Sequence, residues 1–174
     1  MPLMRLTPPD RSQSSSDQIS TEHFLSPKVV GVVPRDQNGI ELLLTTMQAK
    51  PRTGVSLAVT DLAAFSGDND GRYSTHPAFH DVAKPIRLKQ IGGEEAVSAT
   101  KPQVFGLLRQ SPEGLWSIAH HIGDGNMTWL PVPAGVWRVD LLVEWTNLSR
   151  PERFHFEVTE NGRPRLTRDP SERS

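Results

Sequence analysis

Residues 136–145 sort by twos more clearly than any other segment of the chain. Trp137, Val139, Leu141, Val143 and Trp145 fall on one side, and Arg138, Asp140, Leu142 and Glu144 on the other. In a strand, successive side chains point to opposite faces, so this segment buries one face and wets the other, as antiparallel sheets do. A helix would set Trp137 and Val139 about 200° apart and scatter the apolar set around its circumference. Few chains with such a segment at their centre can be anything but β proteins.

The same period recurs along the chain. Residues 153–159 place Phe154, Phe156 and Val158 on one face, and Arg153, His155 and Glu157 on the other. Asn147, Ser149 and Pro151 mark a turn between these segments. If core residues oppose core residues, Trp145 faces Phe154, Val143 faces Phe156, Leu141 faces Val158 and, on the outer side, Glu144 faces His155. Upstream, residues 28–33 are a β-branched run, and Asn38-Gly39 signals a turn into a second strand over 40–46. Further strands are expected over 55–60, 86–91, 104–109 and 115–122, the last two joined as a hairpin through Ser111-Pro112-Glu113-Gly114. Only residues 60–65 have a composition compatible with a helix, and that one would be a single turn. With 15 Pro and 13 Gly there is little room for longer ones. The expectation is an all-β, two-layer antiparallel β-sandwich of about eight strands, immunoglobulin-like or of a related Greek-key topology.

At 174 residues the length suits one domain, here residues 28–160. Residues 1–27 read as a flexible Pro/Ser-rich arm, because Thr7-Pro8-Pro9 and Ser14-Ser15-Ser16 offer little apolar surface to offset ordering entropy. Ile19, Phe24 and Leu25 are the apolar residues expected to anchor the arm on the domain or on a partner. Residues 161–174, with Arg163, Pro164, Arg165, Arg168 and Pro170, read as a second flexible tail.

Pro133-Ala134-Gly135-Val136-Trp137-Arg138-Val139 resembles the corner that opens the penultimate strand of immunoglobulin-like domains. Trp137 stands where those domains carry Tyr, and Val139 where antibody domains carry Cys. The likeness is architectural and implies no activity.

Composition excludes several functions. The formal net charge of −1 gives no overall basic footprint, so no nucleic-acid partner is expected. No run of about 18 or more apolar residues exists to cross a membrane as a helix. There is no cysteine, hence no disulfide, thiol nucleophile or Cys-ligated zinc. The first residues show no signal-peptide pattern, so the sequons at Asn126 and Asn147 read as chance matches. A cytoplasmic location, or a place in an intracellularly assembled particle, is expected.

Chemistry-bearing clusters are few. His76 and His80 stand four apart before Asp81, but Pro77 interrupts the helix that would align them for a metal. Gly67-Asp68-Asn69-Asp70-Gly71 is acidic and could bring Asp68 and Asp70 to a hard cation, yet it lacks the EF-hand spacing and equally suits a tight turn. His120-His121 lies in a strand, His120 inward. No G-x-S-x-G occurs, and Gly92-Gly93 lacks the Lys-Ser/Thr ending of a phosphate loop. Asp140, Glu144 and Glu157 share an outer face, but beside Arg138 and Arg153 they read as ion-paired. Trp129, in a Pro-rich stretch, either caps the core or anchors a partner.

The expected function is a non-catalytic protein-binding or assembly module, without cofactor, whose partner is another protein or another copy. Ile19, Phe24, Leu25 and Trp129 are the candidate partner contacts. The alternative is a metal-dependent enzyme or calcium-dependent carbohydrate-binding module using Asp68, Asp70, His76 and His80. A third reading is a regulatory partner of a neighbouring gene's product.

Overall fold

The computed structural model describes residues 28–34, 39–46, 54–67, 71–80, 85–93, 101–121, 127–145, 148–160 and 162–170. The chain forms two antiparallel sheets packed face to face. The strands are β1 (Lys28–Val32), β2 (Gly39–Thr45), β3 (Val55–Ser66), β4 (Arg72–Thr75), β5 (Ile86–Arg87), β6 (Gln90–Gly93), β7 (Gln103–Gln110), β8 (Trp116–His121), β9 (Met127–Pro131), β10 (Gly135–Trp145), β11 (Leu148–Val158) and β12 (Arg165–Thr167). The first sheet runs β1-β2-β7-β8-β9, with β6 also on β7. The second runs β12-β11-β10-β3-β4, with β5 also on β3.

The alternation of β10 is the reason for this packing. Trp137, Val139, Leu141, Val143 and Trp145 are all buried, and they meet Ile40, Leu42, Leu44 and Ile118 of the facing sheet in one core. Burying such side chains stabilises by about 1.5–3 kcal/mol each. At the start of β10 the Trp137 indole N–H donates to the Pro133 carbonyl at 2.9 Å, pinning the corner four residues upstream.

Several expectations need correction. The β10–β11 register differs from that expected: Trp145 faces Leu148, Val139 faces Phe154, Trp137 faces Phe156, and His155 lies opposite Arg138, not Glu144. Pro151 sits inside β11 rather than in a loop. It is tolerated because β12 covers only His155–Glu157, so the missing N–H of Pro151 costs no bond to a further strand. Residues 60–65 are not helical; they continue β3. A bulge there sets Leu141 opposite Val59 and Asp140 opposite Asp61, leaving Thr60 as the extra residue. Its hydroxyl donates to the Asp140 carbonyl at 3.2 Å. The expected strand over 86–91 is two strands in different sheets, the chain crossing between them at Leu88 and Lys89. Finally, the C-terminal stretch read as a flexible tail holds β12, whose Leu166 packs on the core.

Candidate functional site: a groove between two sheet edges

β1 is the rim of one sheet and β12 the rim of the other, and the two rims approach each other. Gly31 makes the approach possible: a Cβ there would lie 3.1 Å from Leu166 and 3.6 Å from Phe154. Beside this contact lies an open groove of ≈ 760 Å³. Val29, Val30, Phe154 and Leu166 supply its apolar lining, and Arg153, Arg168 and Asp169 its charged side. Val30 is 50% exposed, one of the two large hydrophobic side chains so exposed among the described residues. The other, Leu115 at 51%, borders a second groove of ≈ 490 Å³ at the end of the sandwich, with Trp116, Pro131 and Pro133. That groove carries less charge, and its rim is Pro131 at the end of β9, the opposite edge strand of the same sheet. Among the described residues β1 pairs only with β2, so its outer backbone edge has no strand partner.

The charged wall is built on the outer face of the second sheet. Register places Thr167, His155, Arg138, Ala63 and Thr75 in one row across five strands. Arg153 grips Asp140 bidentately, Nε to Oδ1 at 2.6 Å and Nη2 to Oδ2 at 3.1 Å. That bonding raises the Arg153 pKa above its ordinary value, so its charge is permanent. Arg138 stands over the Tyr73 ring at 4.3 Å and lies 3.6 Å from Asp61. The Tyr73 hydroxyl donates to Asp169 at 2.9 Å, and the same carboxylate oxygen lies 3.7 Å from His155 Nε2. His155 is 8% exposed and its ring sits 6.1 Å from that of Tyr73. Tyr73 and Asp169 thus clasp the segment after β12 onto the sheet, and this clasp fixes one side of the groove. Nothing in it resembles an activated nucleophile. Its carboxylates hold arginines or the tyrosine, and Glu157 is likewise taken by Arg165 at 2.6 Å.

Burial raises the Tyr73 phenol, and donation to Asp169 raises it further, to about 12 from an ordinary 10.0. The folded pKa is the higher one, so the neutral phenol is favoured by folding. That contribution is whole below pH 10 and is lost as pH rises through 12. Tyr73 is the chain's one tyrosine, so near-UV phenolate absorbance reports it alone. A titration midpoint near 12 is expected, moving toward 10 in Asp169→Asn. A parent midpoint at the ordinary value would mean that the clasp is open in solution.

The residues singled out from sequence are distributed differently. Ile19, Phe24, Leu25, Asp68 and Asp70 lie outside the described residues. His76 caps a single 3₁₀ turn, Pro77–Phe79: its Nδ1 accepts from the Ala78 N–H at 3.1 Å and its Nε2 donates to the Pro131 carbonyl at 3.1 Å. Both ring nitrogens are therefore engaged. The His80 Nε2 donates to the Thr75 carbonyl at 3.0 Å. Among the described residues no three His, Asp or Glu side chains are grouped to hold a metal. His120 is half-buried opposite Thr128. Trp129 is half-buried on β9 opposite Ala119, and it lines neither groove.

Sequence reasoning passed over Val30, Tyr73 and Asp169. Val30 sat in a run read only as a strand, and the other two meet across a separation of 96 residues. Among the described residues no helix is long and apolar enough to cross a membrane. Compared with models of known protein families, with curated proteins and with solved structures, the chain matches none.

Proposed function

We propose that this chain is a protein-binding or assembly module that takes an extended polypeptide into the groove between β1 and β12. The exposed Val30 on a rim strand without an outer partner carries this reading. A segment added along β1 satisfies the strand's free backbone groups, and its alternate side chains enter the groove. There they meet Phe154 and Leu166, with Arg168 set to receive a carboxylate. The module reads shape and alternation and carries out no reaction. The Trp137–Pro133 bond, at the corner that resembles immunoglobulin-like domains, supports an immunoglobulin-like scaffold for it.

Panning a library of displayed peptides against the immobilised full chain tests this. Enriched peptides are expected to alternate apolar residues, to carry Asp or Glu, and to bind Val30→Glu at least about tenfold more weakly, about 1.4 kcal/mol. Val30 is half out of the protein, so the variant is expected to melt like the parent. Peptides that bind parent and Val30→Glu equally, or no enrichment at all, would defeat the reading.

A further inference from the structure

We infer that the natural occupant of the β1–β12 groove is residues 17–25 of a second copy of this chain, exchanged reciprocally to form a dimer. The inference rests on the groove reading above and gives it a partner. Residues 1–27 join the domain at Lys28, the first residue of β1, so every copy carries its arm at the rim of a groove. The chemistry of the arm matches the lining. Residues 17–25 hold Ile19, Phe24 and Leu25, the carboxylates Asp17 and Glu22, and no Lys or Arg. Laid out as a strand, Asp17, Ile19 and Leu25 share one face, while Glu22 and Phe24 share the other. Either face therefore offers an apolar anchor together with an acid, against an apolar floor bordered by Arg168.

We place the donor on a second copy because the tightest return onto its own β1 is closed to the arm. Phe24 and Leu25 lie within four residues of Lys28, and a two-residue turn there would fall at Ser26-Pro27. Two-residue hairpin turns need positive φ at one or both positions. Proline holds φ near −65°, which excludes type I′, and type II′ would force Ser26 into the left-handed region that glycine favours. A neighbouring groove imposes no such reversal. Reciprocal exchange then pairs two identical contacts around a two-fold axis, so each arm raises the effective concentration of the other.

Sedimentation velocity on the full chain tests this by complementation. One variant spoils the arm, Phe24→Asp with Leu25→Asp; the other spoils the groove, Val30→Glu. The parent is expected to form a concentration-dependent dimer, and each variant alone to remain monomeric. Their equimolar mixture is expected to regain a heterodimer, weaker than the parent, through the one contact still intact. Monomeric parent at all concentrations overturns the arm as occupant, as does a dimer that neither variant weakens, or one weakened by Val30→Glu but not by the arm variant. In each of these cases panning that still yields Val30-dependent peptides leaves the groove standing with a different partner, whereas failed panning removes both.

Discussion

Phe156→Ala is expected to destabilise the protein by about 3–5 kcal/mol, a large fraction of the roughly 5–15 kcal/mol that holds an ordinary domain folded. Phe156 is 0% exposed and occupies the inner face of β11, with Trp137 on one neighbouring strand and Leu166 on the other as its cross-strand partners. Both neighbours are tied down from elsewhere, Trp137 by its bond to Pro133 and Leu166 by the packing of β12 on Gly31. The walls of the vacated space therefore cannot close in, and the cavity penalty adds to the lost transfer free energy. In urea the midpoint should fall with little change in slope, and the melting temperature should drop by about 6–20 °C. Phe65→Ala is the comparison. Phe65 is half-buried on the outer face against Tyr73, where water can fill the gap, so its cost should be well below that of Phe156→Ala. Equal losses would mean that the inner and outer faces are wrongly assigned.

That assignment was legible in the sequence because burying one face of a sheet imposes period two whatever the strand pairs with. Register carries no such mark. Facing Trp145 with Phe154 or with Leu148 differs by an even number of residues, and every inward side chain stays inward under either pairing. Pro151 tipped the reading toward a longer loop, although a proline is harmless on the stretch of β11 that β12 leaves uncovered. The bulge at Thr60 misled for a related reason. It advances the phase by one, so after Leu57 and Val59 the next large buried side chain is Leu62, and the lost alternation left only the helix-compatible composition of residues 60–65 to read. β12 had almost no local signal. One apolar residue, Leu166, is held by contacts with Gly31, far away in sequence, and by the clasp between Asp169 and Tyr73. The groove was illegible for the same cause: Val30 belongs to an ordinary strand pattern, and only the sheet order makes that strand a rim. Sequence could name the arm's apolar residues as partner contacts but not the surface that suits them.

Gly93→Ala should cost about 2–5 kcal/mol, the sum of a backbone term of about 1–2 and an overpacking term of about 1–3. Of the Gly92-Gly93 pair, unsuited to a phosphate loop by its flanking residues, Gly93 has a purely backbone reason in the fold. Gly93 closes β6 at φ +84°, in the left-handed region, and it sits opposite Gln103 where β6 runs along β7. A Cβ at this position would run into the Pro102 carbonyl oxygen and come within 3.0 Å of the Gln103 Cα. Both obstacles are backbone, so neither can rotate away as a side chain would. Gly114 supplies the control. It has nearly the same φ, +87°, in the turn between β7 and β8, and a Cβ there would meet nothing within 4 Å. Gly114→Ala therefore pays the conformational term alone, and the difference between the two variants measures the clash. Amide exchange should locate it: residues 90–93 and 103–105 lose protection in Gly93→Ala, while β10 and β11 keep theirs. If the two alanine variants melt together, or if β6 keeps its protection, then β6 does not lie against β7 as described. The sheet that carries β1 and its groove would then have a different edge.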